Sequence, residues 1–167
     1  MNVNVQTRTH KRGESLISAI SAGVVVILIG LVFILALPSS LWDSIVTFFG
    51  NFAWRSVPGI GISLPAPADP RAYAVLYTAE FQFCIGLGIL QVVLVAIRLA
   101  MGSPIRKTAE TVGNLVKWFG GAYLITTYLN STTTIGRWFM FWAGILIVLG
   151  LSLIARALVL LTKRISA

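Results

Sequence analysis

Polar side chains are costly in hydrocarbon, so in an apolar chain the residues that interrupt apolar runs are where chemistry is sought. Six such residues recur in one stretch: Tyr73, Tyr77, Glu80, Cys84, Gln91 and Arg98. At about 100° per residue they fall near one line down a helix, and Glu80 and Arg98 share an azimuth. Two chemistries fit this stripe. In the structural one, Arg98 snorkels to headgroups, Gln91 makes a hydrogen bond, and Glu80, near the opposite boundary, is neutralised by Arg71, Arg55 or Arg137. In the functional one, Tyr77, Glu80 and Gln91 line a polar path or ligand site. Lys117, seven residues after Glu110 and on nearly the same face, joins the list as a cation that snorkels or serves that path. Arg156 reads as a snorkelling residue.

Other chemistries find little support. The single cysteine, Cys84, lies in an apolar run, leaving no internal disulfide and no Cys-based zinc or iron–sulfur site within one chain. The only histidine, His10, lies in the polar N-terminal tail, which argues against a haem, a His-rich metal site or Ser-His-Asp catalysis. No two acid–base residues fall at a catalytic spacing, so neither an enzyme nor a cofactor nor a metal is expected.

The elements that must position the stripe are set by composition. Of 167 residues, 57% are apolar and 11% charged, against roughly 25% charged in soluble domains. The net charge is +8, but the basic residues sit at the ends of apolar runs and do not cluster on one face, so the charge indicates membrane topology and no nucleic-acid partner. A bilayer core about 30 Å thick needs about 20 mostly apolar helical residues. Four stretches qualify, 15–37, 72–99, 112–129 and 135–161, the third interrupted by Asn114 and Lys117. The expected fold is therefore all-α, a single polytopic membrane domain over 1–167 with four transmembrane helices. The first run is too long for the apolar core of a signal peptide. Arg8, Lys11, Arg12, Arg98, Arg106, Lys107, Lys117, Arg156, Lys163 and Arg164 fall on or near one side, and only Arg55, Arg71 and Arg137 toward the other. The positive-inside rule then places both termini in the cytoplasm of a multi-pass cell-membrane protein.

The stretch 39–54 (SSLWDSIVTFFGNFAW) has apolar residues at three- and four-residue intervals after capping serines, which predicts an external amphipathic helix at the interface. The following segment, 55–71, is rich in Pro and Gly and is expected to be an extended loop. Asn130–Thr134 (NSTTT) reads as an external turn that fits a glycosylation acceptor pattern. Tyr123, Tyr128, Trp138, Trp142 and Trp118 read as aromatic belts. Small residues predict close helix packing, within or between chains: Ser15, Ser18, Ala19, Ala22 and Gly23 in the first span; Gly86 and Gly88 in the second; Gly113, Gly120 and Gly121 in the third; Gly136, Ala143, Gly144 and Gly150 in the fourth.

The strings KRGESLISAISAG, ISLPAPADP and WFMFWAGILIVLGLSLIARAL resemble a group of small four-helix membrane proteins of archaeal genomes, over most of the chain. The resemblance implies an archaeal source and says nothing on mechanism. Small multidrug transporters are similar in span count alone: their membrane carboxylate sits in the first helix, whereas here Glu14 precedes that helix and Glu80 lies in the second. The leading expectation is a non-catalytic assembly subunit of a homo- or hetero-oligomeric membrane complex, whose partners are the bilayer and itself or other membrane subunits. A small oligomeric channel or transporter using the stripe is the alternative.

Overall fold

A computed structural model describes residues 3–36 and 38–165, with side chains placed for 15–36 and 41–162. The expectations resting on Arg8, His10, Lys11, Arg12, Glu14, Ser39, Lys163 and Arg164 concern side chains outside the described residues. The chain is mostly helical: α1 Val3–Leu35, α2 Pro38–Gly50, a hairpin of β1 Phe52–Ser56 and β2 Ser63–Pro67, then α3 Ala74–Ala100, α4 Ile105–Tyr128 and α5 Ile135–Ile165. Among the described residues three segments are long and apolar enough to cross a membrane, Ser15–Leu35, Pro70–Ala100 and Ile135–Thr162, consistent with a membrane protein. At 24 residues α4 has the length, but Arg106, Lys107, Glu110, Asn114 and Lys117 dilute its apolar character.

Helix α4 lies between α3 and α5 and makes its most extensive packing with both. A helix flanked in this way need not be apolar all round, which accounts for its composition. Small residues allow the close approach: a Cβ at Gly120 would meet Val148 at 2.6 Å, one at Gly144 would meet Leu124 at 2.7 Å, and one at Gly88 would meet Phe119 at 3.0 Å. Gly121 faces Cys84, whose Sγ lies 3.9 Å from such a Cβ. Ser152 Oγ of α5 donates to the Gly113 carbonyl at 2.7 Å, a buried bond between helices. Helix α1 joins this three-helix unit through α3, where a Cβ on Gly86 would come within 2.8 Å of Leu28, and where Ile17 packs with Leu87, Leu90 and Leu94.

Two expectations about the segment after α1 are corrected. The amphipathic helix ends at Gly50 and does not reach Trp54, because Phe52–Ser56 forms a strand. The Pro/Gly-rich stretch is not an extended loop but the rest of a hairpin, paired antiparallel from Phe52↔Pro67 to Ser56↔Ser63. Its bend starts with Val57-Pro58-Gly59-Ile60, where Ile60 N–H donates to the Val57 carbonyl at 3.3 Å and Gly59 has φ +81°. Pro followed by a left-handed Gly is the signature of a type II turn. Pro65 and Pro67 fit β2 because the inward N–H groups belong to the alternate residues, as Ala68 N–H donating to the Asn51 carbonyl at 2.8 Å illustrates. Asp69 then caps a short 3₁₀ turn, Pro70–Tyr73, that leads into α3.

Candidate functional site

On α3 the stripe meets different neighbours at different depths. Tyr77, Cys84 and Gln91 are buried, while Glu80 is exposed. Glu80 and Gln91 differ by only about 20° around the helix, so the contrast arises from what stands opposite each. Beside Glu80 the chain leaves a cavity of about 780 Å³. Its back wall is α3 at Leu76, Tyr77, Glu80 and Phe83; α1 supplies Ile29, Val32 and Phe33, and α5 supplies Phe141, Trp142 and Ile145. Helix α2 spans it with Leu41, Ile45, Phe48 and Phe49. Ile29, Phe33, Phe49 and Trp142 are themselves exposed, so the cavity opens on the apolar flank of the protein.

Aromatic packing holds α2 in place. The Phe48 ring meets Phe52, Tyr73 and Trp138 edge-on, with centroids 5.1, 5.1 and 5.9 Å away. Trp138, expected from sequence to be a belt residue, is instead a core residue at 3% exposure; it links α2 to Phe141 and Trp142 of α5. Leu41 packs with Val32 and Ala79, fixing the other end of α2.

Within the cavity lining, the ionisable groups are Glu80 and the Tyr77 phenol. Tyr77 is satisfied locally, its hydroxyl donating to the Pro70 carbonyl at 2.9 Å. Glu80 enters no ion pair among the described residues; the two pairs found there both use Glu110, with Lys107 at 3.6 Å and Arg156 at 3.4 Å. The cations expected to neutralise Glu80 do not do so. Arg55 donates to the Ala68 carbonyl, Arg137 donates to Thr132 Oγ1, and Arg71 forms no ion pair among the described residues. The arrangement supplies one negative charge and several aromatic faces, suited to holding a ligand. Among the described residues no group of three His, Cys, Asp or Glu side chains is placed to hold a metal ion.

The remaining stripe residues are not brought to this cavity. Gln91 is buried in the packing of α3, at 9% exposure. Arg98 turns to α4, where Nη1 donates to the Lys107 carbonyl and to Thr111 Oγ1. It thereby braces the turn between α3 and α4, in which Gly102 takes φ +59°. Lys117 is half-buried on α4, and the pairing of Glu110 with Arg156 lies beyond any spacing confined to one helix. Gly23 and Gly150, grouped from sequence with the packing glycines, have none of the described residues within 4 Å of where a Cβ would stand. A comparison with protein-family models, with curated proteins and with solved structures finds no match to this chain.

Proposed function

We propose that the protein is a non-catalytic integral membrane subunit that crosses the bilayer four times, with both termini cytoplasmic, and works within a homo- or hetero-oligomeric complex. The observation that carries this reading is the contrast between Gly23 and the glycines Gly86, Gly88, Gly120 and Gly144. Gly86, Gly88, Gly120 and Gly144 each receive a side chain of a neighbouring helix, whereas Gly23 is open together with exposed Ser18, Ala19 and Ala22 on α1. A small-residue face lets another helix approach closely, and in lipid such packing is a main source of association. The flanking apolar residues Leu16, Ile20, Val26 and Ile27 of α1 are also exposed and suit either lipid or a partner helix. The fourth crossing is assigned to α4, whose polar first half packs between α3 and α5.

Native mass spectrometry of the gently solubilised complex from its source membrane tests the reading. The expected mass is a multiple of 18.1 kDa or one that includes other polypeptides. A lone 18.1 kDa species across mild detergents would refute it.

A further inference from the structure

We propose that the cavity beside Glu80 is a binding site for a hydrophobic organic cation, held by aromatic side chains with the Glu80 carboxylate as its counter-ion. The cavity, about 780 Å³, falls in the range of small-molecule sites, roughly 300–1,000 Å³. Its walls are almost wholly apolar and rich in aromatic rings, among them Phe33, Phe49, Phe83 and Trp142. Such rings attract a cation through their faces, and Trp does so best. Glu80 lies about 9 Å along the axis from Ala74, the first residue of α3, at the usual rise of a helix. A carboxylate at that depth in an apolar surround is costly without an opposite charge. The described residues provide none: Arg55 and Arg137 are engaged elsewhere, and no described cation pairs with Glu80. Charge complementarity therefore selects the occupant. A lipid acyl chain would fill the same volume and leave Glu80 unanswered, whereas a lipophilic cation satisfies both the walls and the charge. The exposed lining residues leave an open side through which such a molecule passes from the membrane.

This inference does not depend on the subunit reading, since binding needs only one chain. The test uses the full chain in a neutral detergent, with binding to empty micelles subtracted. Two probes of matched size and opposite charge are compared, tetraphenylphosphonium and tetraphenylborate. The wild-type protein is expected to hold the cation at least about tenfold more tightly than the anion, as a close charge pair in an apolar site does. Glu80→Gln is expected to abolish that preference, and Glu80→Asp to keep it. Phe49→Ala should weaken both probes while leaving the preference in place, because it removes wall and not charge. Equal binding of the two ions by the wild type overturns the proposal, even where a variant fails to fold. Cation binding that survives unchanged in folded Glu80→Gln overturns it as well, because the carboxylate is then not the counter-ion.

Discussion

Gly120 and Gly23 look alike in sequence, each a glycine in an apolar helix, yet they have opposite surroundings. At Gly120 the obstacle is Val148, with Cγ1 at 2.6 Å and Cγ2 at 2.9 Å from an added Cβ. A β-branched side chain has little rotamer freedom with which to move aside. Gly120→Val should therefore destabilise the fold by about 1–3 kcal/mol, read as a lowered unfolding midpoint in detergent. Gly23→Val should leave the midpoint of the dissociated monomer unchanged, because no described residue lies within 4 Å of the added Cβ; a matching loss in both variants in a dissociating detergent would contradict the packing described. Which glycines pack is not legible in the sequence, since composition reveals a small residue but not the neighbour that uses it. Glu80 shows the same division. A carboxylate breaking an apolar run announces itself, but its angular position beside Gln91 gives no sign that one is buried and the other open. That difference depends on how α1, α2 and α5 are arranged around α3, which no local spacing encodes.

Among the elements, α1, α3 and α5 are readable because long apolar runs leave few alternatives, and their apolar spans lie close to those expected, although the helix α1 itself begins at Val3, twelve residues before the expected start. The hairpin is not, although Val57-Pro58-Gly59-Ile60 carries a turn signal. Two prolines in the following strand conceal it, because proline is excluded only where an N–H would face a partner strand and not where it would face away. Helix α4 is the element whose role most needs measurement. Cysteines placed by Ser131→Cys in the α4–α5 turn and Met101→Cys in the α3–α4 turn lie at its opposite ends, both at exposed positions. The one native thiol, Cys84, is buried and should give little background. A membrane-impermeant maleimide applied to intact cells is expected to label the first site and not the second. Labelling of both, or of neither, would mean that α4 does not cross.

At the scale of the whole molecule, the packing is uneven. Helices α3, α4 and α5 form a close unit, and α1 with α2 is attached to one side of it, leaving the cavity between α1 and α5. Many large apolar side chains remain on the outer surface of the fold, as a bilayer solvent allows. The composition of α4 has a consequence for how such a molecule is made. A segment released sideways into lipid from the insertion machinery must be favourable there by itself or leave in company, and a lysine or arginine near a helix centre costs roughly 2.5–3.5 kcal/mol in that step. Lys117 sits near the middle of Ile105–Tyr128, with Glu110 and Asn114 before it. The bond from Ser152 to the Gly113 carbonyl and the pairing of Arg156 with Glu110 become available only after α5 has been synthesised. Under the four-crossing reading, α4 waits at the membrane for α5 and the two enter as a pair. A reporter fused at Ser131, with α5 removed, should then stay on the cytoplasmic side although the same reading places Ser131 outside when α5 is present; a reporter found outside would show that α4 inserts unaided. Under that reading the polar half of this helix imposes an order on biogenesis, in which the helix that follows decides the fate of the one before it.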